Sequence, residues 1–120
     1  GPVQHTIRTP LVDTTIRVDN DDIKISKGSL VLASLGAGNH DPTVFTNPHE
    51  LDFSRKNSNK HLAFAAGVHY CLGASLAKLE TEIAVGTLVQ TFANIEVASE
   101  PEWRDRLTIR GVSKYELNVS

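Results

Sequence analysis

The chain has 120 residues, of which 40% are hydrophobic and 22% are charged, a composition typical of a folded globular protein. Its formal net charge of −2 argues against nucleic acid as a partner, because domains that bind nucleic acid are usually clearly basic. No apolar run approaches the ~20 residues that cross a bilayer, and a single cysteine cannot form an internal disulfide, so we expect a cytoplasmic protein without a membrane segment.

Short β-strands are predicted for the first 35 residues. β-Branched residues alternate with polar ones in several runs, and the sequence Asp-Asn-Asp-Asp at 19–22 predicts a turn between two of these runs. A further turn is expected around Gly28, ahead of an apolar run. The predicted strands are residues 5–9, 14–18, 23–25 and 29–35.

An irregular meander is predicted for residues 36–63. This stretch carries two prolines and several asparagines and aspartates, and it shows no sustained hydrophobic period. An irregular segment of this length is uncommon in a compact domain unless it has a function. Proline favours the first position of a helix, so we expect short helical turns at residues 42–45 and 48–51.

The strongest helical pattern covers residues 72–92. Leu76, Leu79 and Ile83 follow one another at spacings of three and four, Val89 extends the same apolar stripe, and the charged side chains are expected to lie away from it. We therefore expect an amphipathic helix of about five turns that is buried along one face.

Residues 93–120 return to patterns typical of strands. Gly111 is expected in the turn of a closing hairpin, since glycine between two apolar runs is a common turn signal. The predicted class is therefore α+β with one dominant helix. The predicted strands of this part are residues 95–97, 107–109 and 114–119.

The only cysteine lies in the sequence FAAGVHYCLG, residues 64–73, between two glycines. Free N–H groups at the start of the following helix favour a negatively charged sulfur, and the glycines allow a flat group to approach the backbone. These residues leave four roles open for Cys71. It could be a buried structural thiol, a catalytic thiol beside His69 or His61, a zinc ligand together with both histidines, or the axial thiolate of a haem iron.

The order of residues in this loop resembles the haem-binding loop of the cytochrome P450 family. The pattern is long and more specific than a generic glycine motif. It consists of Phe64, Gly67, His69, Cys71 and Gly73 at the family's spacing.

The resemblance extends to both sides of the loop. Residues 39–55, NHDPTVFTNPHELDFSR, are similar to the family's meander, and residues 71–80 are similar to the helix after the cysteine ligand. Residues 2–8 resemble the strand that follows the family's Glu-x-x-Arg helix. The resemblance thus covers nearly the whole chain and implies the C-terminal portion of a soluble bacterial-type cytochrome P450, an α+β part of that mainly α fold.

The family implies a role for each residue that matches its motif. Cys71 is then the axial thiolate of the haem iron, with haem b as the cofactor. His69 and Arg8 are expected to bind haem propionates, for which the planar guanidinium of arginine is well suited. Phe64 is expected to pack near the sulfur, and no further catalytic residue is expected in this chain. The remaining expected haem contacts are Gly67, Leu72 and Gly73.

The sequence departs from the family pattern in three places. Ala65 stands where many members have glycine, which should narrow the loop slightly. His40 replaces the usual arginine of the meander, so an ion pair at that position would depend on pH. The interval between Arg8 and Gly28 is also longer than is common in the family.

Partners follow from the same resemblance. Residues 55–61 together with Lys78 are expected to form a basic patch on the cysteine side, where the family receives an acidic electron donor such as a ferredoxin. Residues 2–6 and 108–113 resemble two stretches that line the family's substrate pocket, and the expected substrate is a small hydrophobic organic molecule. No nucleic acid or membrane partner is expected.

A full family member is several times longer than this chain. The sequence lacks the family's distal helix with its acid–alcohol pair, so we expect a haem-thiolate monooxygenase represented by its haem-ligand part, inactive alone and with weak or absent haem affinity. The alternative is a truncated, non-enzymatic binding module that keeps the fold without haem. As one domain or fragment, residues 1–120 should bury roughly two-thirds of their unfolded surface, with self-association through any exposed apolar surface.

Overall fold

The N-terminal part of the protein consists of two antiparallel strand pairs in a computed structural model that describes residues 1–120. Strand β1 (His5–Arg8) pairs with β4 (Val31–Ser34), and the hairpin of β2 (Thr14–Val18) and β3 (Asp21–Ile25) lies between them in sequence. Asp19, with φ 53°, makes the tight turn of that hairpin, because aspartate tolerates the left-handed region better than most residues. The four strands predicted for this part are confirmed. Strands β1 and β4 are shorter than predicted, β2 has the predicted bounds, and β3 begins two residues earlier.

A short helix, α1 (Leu35–Gly38), directly follows β4 and was not predicted. The N–H of Ala37 donates to Oγ of Ser34 at 3.2 Å, so Ser34, the last residue of β4, also caps this helix and the strand does not extend to residue 35 as predicted. The sequence signal for this helix is the serine at the end of an apolar run, because serine is a preferred N-cap residue.

The meander after α1 is irregular, as predicted, and contains one 3₁₀ turn at Ser58–Lys60. The N–H of Phe45 donates to the carbonyl oxygen of Asp41 at 2.9 Å, which makes a single helical turn at residues 41–45. The second predicted helical turn is instead a β-turn, in which the N–H of Glu50 donates to the carbonyl oxygen of Asn47 at 3.0 Å.

Two aspartates in the meander fasten their own turns. The carboxylate of Asp41 accepts hydrogen bonds from the hydroxyl of Thr43 at 2.6 Å and from its backbone N–H at 2.8 Å. Asp52 does the same with Ser54 at 2.6 and 2.8 Å. In each case the hydroxyl and then the backbone donor hold the pKa of the carboxyl below its ordinary value of 3.8, because both bonds favour the charged form.

We expect Thr43→Val to raise the pKa of Asp41 toward its ordinary value, since the largest cause of the depression is removed. The folded pKa is lowered, so this contact stabilises the turn above the unfolded pKa and its contribution is lost as the pH falls through the folded pKa. Carbon NMR titration of the Asp41 carboxyl between pH 2 and 6 measures the shift. Ser54→Ala is the matched control and should shift Asp52 alone; an unchanged Asp41 titration in Thr43→Val would contradict the prediction.

The C-terminal part contains the long helix α2 (Ala74–Thr91) and four short strands. Strand β5 (Ile95–Val97) pairs with the last strand, β8 (Leu117–Val119), and the strands between them, β6 (Glu102–Trp103) and β7 (Val112–Lys114), pair with each other. Both pairs are antiparallel, and the β6–β7 pair lies in sequence between the two strands of the β5–β8 pair.

The predicted strands in this part are correct only in part. The segment 95–97 is confirmed, but Ile109 alone of residues 107–109 pairs, in a single bridge to Val3. The predicted strand 114–119 is two strands, because the chain leaves β7 at Lys114 and re-enters a different ladder at Leu117. Gly111 accepts from the N–H of Arg104 at 2.9 Å and closes the loop between β6 and β7, a hairpin whose first strand was not predicted.

The chain is extended and buries little surface. Only Leu35, Phe45 and Ala74 are buried, and the radius of gyration is 18.4 Å, compared with about 14 Å for a compact domain of this length. The accessible surface is 9932 Å², against about 6,400 Å² for a compact monomer and about 19,000 Å² for the unfolded chain of 13.1 kDa. The expectation of two-thirds burial is therefore wrong, and about half is buried.

Helix α2 is largely unpacked within the chain. Its apolar stripe was predicted to be buried, but Leu76, Leu79, Ile83 and Val89 each expose more than half of their surface, and Ala74 is its one buried residue. The helix predicted from the sequence period is confirmed. Burial of its stripe needs a facing element, and no strand or helix of these 120 residues packs extensively against it. No helix has the length and apolar character needed to cross a membrane.

Candidate functional site around Cys71

The loop before helix α2 is closed by a backbone hydrogen bond from the N–H of Cys71 to the carbonyl oxygen of Phe64, at 2.9 Å. Inside it, residues Gly67–His69 form a 3₁₀ turn, and the N–H of Tyr70 donates to the carbonyl oxygen of Gly67 at 3.0 Å. These bonds fix the backbone that leads to the cysteine. The side chain of Cys71 is exposed at the surface of this loop.

The surface beside the sulfur is open and apolar. Gly67 adopts φ 62°, and a Cβ there would meet no atom within 4 Å; at Gly73 a Cβ would meet only the sulfur of Cys71, at 3.9 Å. Val68 and Leu72 are 97% and 103% exposed. This surface suits a flat apolar group that carries a metal, such as a porphyrin, because it combines a free thiol with two positions without side chains and two exposed aliphatic residues.

Helix α2 begins after the cysteine, not at it. Gly73 is the N-cap and provides no side-chain hydrogen bond, and the N–H of Ala74 donates to the carbonyl oxygen of Cys71 at 3.2 Å. Leu72, the first residue of the predicted helix, therefore lies in the turn before α2, two residues ahead of the observed start at Ala74. The cause is that the first turn closes onto the carbonyl of Cys71, which keeps the cysteine in the loop.

Ala65 adopts φ 57°, in the left-handed region that favours glycine. The slightly narrower loop expected at this position stays a prediction. The structure shows backbone strain here, where the loop bends to bring Phe64 and Cys71 together. Such a conformation costs an L-residue roughly 1–2 kcal/mol.

We expect Ala65→Gly to raise the free energy of unfolding by about 0.5–1 kcal/mol, because relief of this strain exceeds the entropy that glycine adds to the unfolded chain. Ala66→Gly is the matched control: Ala66 has φ −153°, an extended conformation without strain, so glycine there should destabilise the chain by about 0.5 kcal/mol. Urea unfolding measures both. Equal destabilisation by the two substitutions would refute the strain at Ala65.

Phe64 is the centre of a small aromatic cluster under the loop. Its ring lies 5.8 Å from the ring of His61 and 6.2 Å from that of Tyr70, both tilted, and Nζ of Lys78 lies 5.7 Å from its centroid. Edge-to-face pairs and a cation over the ring each stabilise such a cluster modestly. The cluster therefore links Phe64, at the start of the loop, with Tyr70, the residue before the cysteine, and with Lys78 of helix α2.

The three other roles considered for Cys71 find no support in the geometry. No group of three or more His, Cys, Asp or Glu side chains could hold a metal ion, so His61, His69 and Cys71 do not form a zinc site. The Nδ1 atom of His61 accepts a hydrogen bond from the N–H of Ala63 at 3.1 Å, and no hydrogen bond joins Cys71 to either histidine. A buried structural thiol finds no support either, because Cys71 is exposed in this chain.

The two residues expected to bind propionates lie on different elements. His69 is exposed at the end of the 3₁₀ turn. Arg8 lies on β1, half-buried, and its guanidinium donates to Oγ1 of Thr6 at 2.6 Å and to the carbonyl oxygen of Ile7 at 2.7 Å. No hydrogen bond joins His69 and Arg8, so a common ligand for them stays a prediction.

The two stretches expected to line a substrate pocket are brought together. Val3 and Ile109 form a bridge, the N–H of Gln4 donates to the carbonyl oxygen of Thr108 at 2.8 Å, and the N–H of Arg110 donates to that of Pro2 at 2.7 Å. These contacts join the two ends of the sequence across more than 100 residues. Their adjacency agrees with the expectation of a shared wall, although which ligand it would face stays a prediction.

The expected basic patch loses one of its members. Arg55 is half-buried, and its guanidinium donates to the carbonyl oxygens of Thr46, Asn47 and Glu50 at 2.6, 3.1 and 3.2 Å, with the ring of Phe45 5.9 Å away. It therefore fastens the meander and is not a free surface cation. Sequence reasoning missed this role, because carbonyl acceptors leave no trace in side-chain identity.

His40 does not form the pH-dependent ion pair considered from sequence. Its Nδ1 lies 2.8 Å from the carbonyl oxygen of Gly36, and its ring stacks on His49 with 5.0 Å between centroids and 24° between planes. No salt bridge involves it. A histidine is shorter than arginine, so it reaches the preceding helix turn and its neighbour in the meander but no carboxylate.

Comparison with known proteins identifies the family. The family model for cytochrome P450 matches residues 2–117. The chain is 43% identical over 106 residues to a biotin biosynthesis cytochrome P450 of Bacillus subtilis, covering 88% of this chain and 25% of that protein. It is 37% identical over 124 residues to cytochrome P450 107B1 of Saccharopolyspora erythraea, covering 95% and 30% respectively.

Solved structures give the same answer. The chain superposes on P450BioI, solved with an acyl carrier protein that carries hexadec-9Z-enoic acid, with a TM-score of 0.89 and 37% identity, covering 99% of this chain and 30% of that one. For cytochrome P450 CREJ the TM-score is 0.90, with 30% identity. The chain thus spans between a quarter and a third of the length of these relatives, and it belongs to the cytochrome P450 family.

Proposed function

We propose that the protein provides the haem-ligand part of a bacterial haem-thiolate monooxygenase, with Cys71 as the axial ligand of haem b. The observation that carries the proposal is the exposed sulfur of Cys71, on a loop closed by its own backbone N–H and bordered by Gly67, Val68, Leu72 and Gly73. A haem bound there supplies oxygen activation, and a thiolate ligand favours cleavage of the O–O bond.

The chain's own residues hold and orient the cofactor in this proposal. Val68 and Leu72 exclude water from the face of the ring near the sulfur, since both present apolar side chains without contacts in the chain. His69 and Arg8 donate hydrogen bonds to propionates. Phe64 packs beneath the sulfur through its cluster with Tyr70 and keeps the loop in place.

The substrate and redox partner belong to the same proposal. We infer a small hydrophobic organic substrate beside the wall formed by residues 2–6 and 108–113, and an acidic ferredoxin-type donor at the cysteine side. Lys56 and Lys60 are exposed, and together with Lys78 they are the docking cations of this proposal. The acyl carrier protein bound by P450BioI is a property of that relative. A cytoplasmic location suits a lone, exposed thiol.

The 120 residues alone are proposed to be inactive and to bind haem weakly. Each relative compared is three to four times longer, and this chain contains one side of the site only. The competing proposal is a non-enzymatic module that uses the same fold for binding. The wide exposure of apolar residues favours association with another surface over an isolated monomer.

Haem titration with carbon monoxide tests the proposal. Addition of haem, reduction and exposure to carbon monoxide should give a strongly red-shifted, thiolate-type Soret band, even at weak affinity. Size-exclusion chromatography of the same samples tests the alternative: a monomer without any haem absorbance would support the binding module and contradict haem binding by these residues alone, whereas a dimer or aggregate would support a part that lacks its partner surface. Oxidation of a substrate by the isolated chain would refute its inactivity.

A further inference from the structure

The guanidinium of Arg8 is held in place by its own strand. Nη1 donates to Oγ1 of Thr6 at 2.6 Å and to the carbonyl oxygen of Ile7 at 2.7 Å. Thr6 and Arg8 are two residues apart in β1, so their side chains lie on the same face of the strand, and both are half-buried. The side-chain contact is therefore shielded from solvent more than most arginine contacts in this chain.

Both of these hydrogen bonds use Nη1. A guanidinium carries five N–H donors in a fixed plane, so Nε and Nη2 retain three of them. Nε and Nη2 together form an edge that binds a carboxylate through two parallel hydrogen bonds. With Nη1 fixed by Thr6 and Ile7, this edge is the free side of Arg8.

We propose that Thr6 is a positioning residue that orients the Nε–Nη2 edge of Arg8 toward a carboxylate. The inference rests on the proposed function, in which that carboxylate is a haem propionate. The carbonyl of Ile7 is a backbone acceptor that any residue would supply, whereas the hydroxyl is specific to Thr6. Threonine is β-branched and stiff about χ1, so its hydroxyl is a well-fixed acceptor. Without it, one hydrogen bond to Nη1 remains and the guanidinium plane can rotate.

Titration of the isotope-labelled chain with sodium propionate, followed at the Nε–H of Arg8 by nitrogen NMR, tests the role of Thr6. Thr6→Val removes the hydroxyl and keeps the shape, and it should weaken the apparent propionate affinity by about three- to tenfold, the worth of one hydrogen bond. Thr6→Ser restores the hydroxyl and should return most of the affinity. Thr15→Val, on the exposed strand β2, is the matched control and should leave it unchanged.

A propionate response that is absent in the wild type, or equal in Thr6→Val and the wild type, would overturn the inference. So would an equal loss in Thr15→Val, because it would mark a general effect on folding. The outcome is separate from that of the proposed function. If Thr6→Val weakens the propionate affinity at Arg8 but no thiolate-type band forms with haem, the haem proposal fails and the role of Thr6 stands. If the band forms and the propionate affinity at Arg8 is the same in Thr6→Val as in the wild type, the haem proposal stands and the role of Thr6 fails.

Discussion

Replacement of Cys71 by alanine is expected to abolish the thiolate-type Soret band of the reduced, carbon-monoxide-treated chain and to weaken haem binding by at least about tenfold. The sulfur is the one soft ligand in the chain, and it stands exposed beside two glycines and the apolar side chains of Val68 and Leu72. Alanine keeps the loop backbone, whose closing bond uses the N–H of residue 71 and not its side chain. The loss would therefore report on the ligand alone.

Two further variants make this result specific. Cys71→His keeps an axial ligand but supplies an imidazole, so haem should still bind while the red-shifted band is lost. Ser75→Ala, on the exposed first turn of α2, should behave like the wild type. An unchanged band in Cys71→Ala would rule out this cysteine as the ligand, and loss of all haem binding in Ser75→Ala would point to a folding defect.

Arg55→Ala is expected to lower the free energy of unfolding of the meander by about 2–3 kcal/mol. The guanidinium donates to three backbone carbonyls, those of Thr46, Asn47 and Glu50, and hydrogen bonds with a charged donor are the stronger ones. Solvent can reach the freed carbonyls, which limits the loss. Hydrogen exchange of the meander amides and urea unfolding would measure the local and the global effects.

Arg55→Lys separates charge from geometry. A lysine ammonium is a single point donor and cannot hold three carbonyls arranged around a planar fork, so we expect it to recover less than half of the loss. Lys56→Ala, next along the chain and exposed, is the matched control and should change stability by less than about 0.5 kcal/mol. Full rescue by lysine would show that only the positive charge matters at this position.

Short-range features of the fold were predictable because they depend on neighbouring residues. The alternation at 14–18 and 23–25 specified a hairpin, and the period of Leu76, Leu79 and Ile83 specified a helix, both of which are present. The motif from Phe64 to Gly73 located the loop and the family. The burial of α2 was mispredicted, since an apolar stripe predicts that a face will be covered but does not supply the covering element.

The amino-acid sequence by itself thus determined the family, the position of the loop that carries Cys71 and the order of most elements, because motifs and periodicity are local properties. The tertiary structure alone decided three other features. It placed Ala65 in a left-handed conformation, turned Arg55 onto backbone carbonyls and linked Arg8 to Thr6. Each depends on where the backbone passes in space, and backbone carbonyls and dihedral angles are not encoded in the identity of any single residue.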